Sequence, residues 1–166
     1  MALILDGNGT MTVGNGDITG LVAGALPSNV IGAGAVLQVV ANTTATQTNT
    51  TTSSYADTTV IASITPSSAT SKILVTVYCG MCVKTANDTQ LNIQLVRGAS
   101  GIFLAAALNN NGAVVAVTNP TLVYLDSPAT TASTTYKIQI ANRDNAGTIN
   151  FNNNSTATIT LMEIAA

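Results

Sequence analysis

From residue 36 onward the sequence alternates with a period of two. Leu91, Ile93 and Leu95 fall on one side of an extended backbone, with Asn92 and Gln94 on the other; Tyr136, Ile138 and Ile140 likewise oppose Lys137 and Gln139. Successive side chains leave a strand on opposite faces, so this pattern describes strands with one dry side. Ile159, Leu161 and Glu163 are interleaved with Thr158, Thr160 and Met162 in the same way. Glu163, an isolated carboxylate near the end of the chain, reads as a solvated strand residue.

Runs rich in Val, Ile, Thr and Tyr, punctuated by Pro, Gly, Asn and Ser clusters, predict ten strands: 36–40, 55–64, 72–83, 89–97, 101–108, 113–118, 121–126, 134–142, 148–152 and 156–164. No helical periodicity is sustained. The alanines of 101–108, "GIFLAAAL", also suit a short helix, which makes this the weakest strand of the set. Many short strands between turn clusters describe two packed antiparallel sheets, an all-β sandwich of jelly-roll type.

The tract 42–60 holds eleven threonines and serines. Residues 42–54 are too uniformly polar for a core strand and read as an exposed strand or loop, whereas Tyr55–Ile64 alternates and belongs to the sandwich. Thr serves there as a neutral β-former. Charged residues make up 7% of the chain, against an average of about 25%. Neutral hydroxyls and amides must therefore cover the outside, and a free monomer with so little charge is a poor colloid. The composition is that of a subunit in an assembly.

The net charge of −2 comes from acids and bases scattered singly. No basic stripe tracks a phosphate backbone, and nucleic-acid binding is not expected. The first residues lack a basic stretch followed by an apolar run, and no window reaches 18 apolar residues, so neither export nor membrane insertion is expected. The Asn-x-Ser/Thr triplets at Asn42, Asn49 and Asn87 are what abundant Asn and Thr produce by chance.

Residues 1–35 differ from the rest. They hold more than half of the thirteen glycines, with short apolar pieces such as "GLVAGAL" and "NVIGAGAVL" between them. Such a segment cannot build a core of its own, and its apolar residues are costly to leave in water. The organisation expected is an extended attachment arm over 1–35 and a sandwich over 36–166. The arm's assembly contacts would be Leu21, Val22, Leu26, Val30 and Ile31, unless these merely cover the base of the same sandwich.

The chain has no His, which removes the commonest general base and metal ligand. Asp126 and Asp144 are the least implausible carboxylate pair, and each also reads as a turn residue. "CGMC", Cys79–Cys82, resembles a redox or metal motif, but in a strand residues three apart point to opposite faces with Cα atoms roughly 10 Å apart, too far for a bridge. A bulge at Gly80 would change the facing. Two thiols without further ligands do not complete a zinc site, and two buried, reduced cysteines are expected. "GNGDITG" at 14–20 departs from phosphate-loop spacing and has no following Lys. "NNNG" at 109–112 and "NFNNNS" at 150–155 are turn chemistry, though Asn clusters also suit sugars. No catalytic residue, cofactor or metal is assigned.

Three stretches taken together, "GAVLQVV" leading into a Thr-rich strand, "SITPSSATSKILVTVYCGM", and "YKIQIAN" followed by "ATITLMEI", resemble the β-structured domain of tailed-bacteriophage virion surface proteins. These include capsid decoration or cement proteins and short tail-fibre-like appendages. The likeness spans roughly residues 34–164. It implies a jelly-roll-like sandwich, a homotrimer, and a Gly-rich arm joining the trimer to the major capsid protein or another virion protein. The expected role is a non-enzymatic decoration protein that binds and stabilises the head at the virion surface after assembly in the host cytoplasm. The alternative is a short tail fibre whose Asn-rich loops recognise a host glycan.

Overall fold

The computed structural model describes residues 4–5, 11–12, 32–108 and 115–166. The chain divides into two compact units, Met1–Gly32 and Ala33–Ala166. In the first, β1 (Ile4–Leu5) pairs with β2 (Met11–Thr12) in antiparallel fashion.

In the second unit the alternating runs fold as strands, with no helix among the described residues. In chain order they are β3 (Val36–Thr44), β4 (Thr48–Thr50), β5 (Ala56–Ile64), β6 (Lys72–Tyr78), β7 (Cys82–Lys84) and β8 (Leu91–Arg97). Then follow β9 (Ser100–Ala107), β10 (Ala116–Thr118), β11 (Thr121–Asp126), β12 (Thr134–Asn142), β13 (Ile149–Phe151) and β14 (Ala157–Ile164). They form three antiparallel sheets, ordered β11-β6-β14-β3, β5-β12-β8-β9 and β10-β7-β13-β4. The first two are the layers of a β-sandwich.

The core lies between those layers. Ile73, Val75 and Val77 of β6, Leu122 of β11, and Ile159 and Leu161 of β14 meet Val60, Ala62 and Ile64 of β5, Tyr136, Ile138 and Ile140 of β12, and Leu91, Ile93 and Leu95 of β8. All are buried. Each fully buried aliphatic side chain here is worth about 1.5–3 kcal/mol relative to exposure. Phe103 of β9 reaches across to Tyr124 of β11, ring centroids 5.6 Å apart.

The third sheet repeats the strand order of the first because its strands continue those of the first: β3 runs into β4, β6 into β7, β10 into β11 and β13 into β14. One four-stranded sheet is thus interrupted in every strand at the same level. The sequence reading of 72–83 as one strand therefore needs correction. Gly80, at φ +69°, interrupts it, and the polar tract 42–54 carries the end of β3 and all of β4.

The interruption is closed by a polar seam. Asn152, fully buried and at φ +56°, donates through Nδ2 to the carbonyls of Thr44 (3.0 Å) and Thr46 (3.3 Å). Its Oδ1 accepts from Ser155 Oγ at 2.9 Å, and that hydroxyl accepts from the Met81 amide at 2.7 Å. Asn153 N donates to the Met81 carbonyl, and Cys79 N to that of Pro120. All four break points are joined in this way.

The two outer faces differ. On β5-β12-β8-β9 the outward side chains include Asp57, held by Lys137 Nζ and Gln139 Nε2 at 2.8 Å each, and the hydroxyl pair Ser63–Thr135 at 2.7 Å. On β11-β6-β14-β3 the register places Leu125, Leu74, Met162 and Val39 side by side across the whole sheet.

A Cβ at Gly80 would stand 2.7 Å from Ser155 Oγ and closer still to Asn152 Oδ1, in a backbone conformation that L residues avoid. Gly80→Ala is therefore expected to destabilise the fold by about 2–3 kcal/mol. Urea unfolding would register this as a lower midpoint at unchanged slope.

Candidate functional site

Asp126 ends β11 and points inward, because it shares the parity of the core residues Leu122 and Tyr124. Arg97 ends β8 and lies opposite Tyr136, near the start of β12, in the other layer. The three meet at the rim of the core. Arg97 Nη1 donates to Asp126 Oδ1 at 2.9 Å and Oδ2 at 2.8 Å, and Tyr136 Oη donates to Oδ2 at 2.7 Å. Tyr136 is wholly buried and Asp126 nearly so. Burial, followed by the hydrogen bond to Asp126 and its charge, pushes the Tyr136 phenol far above its ordinary value. It remains a donor at any ordinary pH, and the cluster acts as a clasp between the sheets.

Beside it an open cleft of about 350 Å³ runs between Arg97–Gly98 and the segment from Pro128 to Thr135. Asp144 stands elsewhere. It follows the far end of β12, whose path from Tyr136 to Asn142 spans roughly 20 Å, and Arg143 Nε stands 4.0 Å from its Oδ1. The two aspartates are thus not brought together, and only Asp144 lies in a turn.

Glu163 requires a correction. It is wholly buried, not solvated. Ser67 donates to its Oε1 through both backbone N (2.7 Å) and Oγ (2.6 Å), and Gln38 Nε2 donates to Oε2 at 2.6 Å while also reaching the Thr65 carbonyl at 2.7 Å. Burial by itself would raise this carboxyl, but the donors from Ser67 and Gln38 outweigh it and hold the group below its ordinary value. The carboxylate fastens the connection between β5 and β6 to the first sheet.

Cys79 and Cys82 are both buried and unbridged. Burial pushes both thiols up, Cys82 to about 11 and Cys79 further, with the neighbouring Cys82 adding to the effect at Cys79. Neither is a thiolate at neutral pH, so neither is activated as a nucleophile. The cluster 150–155 forms part of the seam. The arm residues Leu21, Val22, Leu26, Val30 and Ile31, the glycines of 14–20 and the loop 109–112 lie outside the described residues.

Among the described residues no group of three or more Cys, Asp and Glu side chains is placed to hold a metal ion, and no helix is long and apolar enough to cross a membrane. No protein-family model matches the chain, and no curated protein is similar to it.

Removing the Asp126 charge leaves a one-third-exposed Arg97 side chain without its counter-ion. Asp126→Asn is expected to cost about 2 kcal/mol, less than for a fully buried pair, measured as a shift in the urea midpoint. Glu163 sets an acid limb. Its folded value lies below the ordinary 4.5, so its contribution is complete above that ordinary value and is lost as pH falls through the lower, folded one. Asp57, lowered by its hydrogen bonds from Lys137 and Gln139, acts with the same sign. The comparison is therefore with Glu163→Gln, whose stability should fall less steeply than the parent's between about pH 5 and pH 3.

Proposed function

We propose that the chain is a non-enzymatic structural subunit of a bacteriophage virion: a homotrimer that decorates and stabilises the head and is attached to the major capsid protein through residues 1–35. The observation that carries this reading is strand order. Counting each interrupted strand once, the described residues of the second unit form eight strands, ordered 1-8-3-6 in one sheet and 2-7-4-5 in the other. This order supports reading the sandwich as a jelly roll, an architecture used by viral shell proteins and lectins. The resemblance of 34–164 to phage virion surface domains points the same way.

The placement of the reactive groups supports a structural role. Asp126 clasps two sheets, Glu163 ties down a connection, and Cys79 and Cys82 fill the core. The rival, a tail fibre reading host glycans through Asn-rich loops, is weakened at 150–155, where Asn152 is buried and engaged with strand carbonyls. On the favoured reading Leu21, Val22, Leu26, Val30 and Ile31 supply the apolar surface for attachment.

Deletion of residues 1–33 is expected to leave a sandwich with an unchanged β-type circular dichroism spectrum that no longer co-sediments with particles. Retained co-sedimentation would remove the arm's role. In purified particles the copy number should approach that of the shell subunit; a handful of copies would favour the fibre.

A further inference from the structure

We propose that the outward face of β11-β6-β14-β3 is the surface through which copies of this chain associate. The inference rests on the self-association in the reading above and adds to its three-fold contact a face-to-face, two-fold one, since a surface that meets itself closes a pair.

The face carries a continuous apolar row. Leu125 lies beside Leu74, Leu74 beside Met162 and Met162 beside Val39, so the row crosses all four strands, and Val123 and Val36 extend it on either side. Four of these are strongly exposed: Val123 60%, Val39 56%, Val36 54% and Leu125 50%. The opposite face of β5-β12-β8-β9 also exposes Ile61 and Leu104, but singly, each with a polar cross-strand neighbour, Lys137 and Gln94. Around them Asp57, Lys137, Gln139 and the Ser63–Thr135 pair hold one another in hydrogen bonds at the water boundary, so no apolar row forms there. One layer is dressed for solvent and the other for a partner.

Area and charge identify the occupant. Four strands about 4.8 Å apart and roughly 25 Å long present a face of roughly 500 Å². Two such faces bury about 1,000 Å², which reaches the size of a specific interface. Along the described outward rows the only charged residue is Lys72, at the rim. A surface that meets its own copy cannot carry a strong charge of one sign, because like charges would then be juxtaposed. Toward the seam the row gives way to hydroxyls, with Thr43 bonded to Thr158 and Tyr78 accepting from Asn119, so an apolar centre has a polar border on that side. A neutral, flat, self-compatible face of this size fits a second copy of the chain.

The test is sedimentation velocity on the full chain. The parent is expected to be oligomeric at micromolar concentration. Val39→Lys combined with Val123→Lys should give a folded protein of half the parent's sedimenting mass, whereas Leu104→Lys, at a residue 60% exposed on the opposite face, should leave the parent's assembly intact. Circular dichroism checks folding. If the double Lys variant does not fold, Val39→Thr with Val123→Thr, which keeps shape and removes methyl surface, should raise the dissociation constant at least tenfold. An oligomeric parent whose face variants associate as before overturns this surface and leaves self-association standing. A monomeric parent overturns both.

Discussion

The interrupted sheet depends on how the backbone groups freed at its four break points are paired. Where a ladder stops inside a protein, each unpaired amide or carbonyl forfeits its water, at about 1–3 kcal/mol. Here one buried amide side chain serves two carbonyls of the β3–β4 break, and one hydroxyl receives the amide of the β6–β7 break. Asn suits this position for two reasons. It tolerates the left-handed backbone found at φ +56°, and it presents a donor and an acceptor on opposite sides of one short side chain. Gly80 leaves the room that this side chain and Ser155 occupy. The seam thus holds the two halves of the interrupted sheet together across the break.

At the other end of the core a different device closes the same sheet. The inward residues there form the row Asp126, Ile73, Glu163 and Gln38 across β11, β6, β14 and β3. Two carboxylates at the lip of an apolar core are tolerable only with donors on both. Asp126 takes its donors from the opposite layer and Glu163 from the connection 65–71. Each therefore joins parts of the chain that the ladders do not. The dry stretch between lip and seam is the part that the alternating sequence wrote most clearly.

Alternation was sufficient for Leu91, Ile93, Leu95, Tyr136, Ile138, Ile140, Ile159 and Leu161, all of which face the core. It also placed Glu163 on the dry side; what made it look solvated was its charge, since its donor Ser67 is 96 residues away and invisible to local pattern. The same holds for Asp126, whose partners Arg97 and Tyr136 are 29 and 10 residues distant. The strand at 101–108 won over its helical alternative because β8 offered it a full ladder. Residues 72–83 looked continuous because Gly80 alone does not distinguish a bulge from a break; the decision belonged to Asn152 and Ser155, more than 70 positions later. Local periodicity thus carries the strands, and long-range polar pairing carries their interruptions and the clasp.

The scarcity of charge acquires a physical sense from these placements. Of seven acidic residues, Asp126 and Glu163 are turned inward as ties and Asp57 is neutralised by Lys137 on one outer face. Little charge remains to keep the opposite face wet. Hydroxyl-bearing threonines satisfy the strand preference for β-branched side chains without adding repulsion, so the same choice that makes good strands also lowers the electrostatic cost of bringing two neutral sheets together. A chain that had to remain solitary would need charges on that face to discourage association; one whose stability is completed by its neighbours would lose contact area to them.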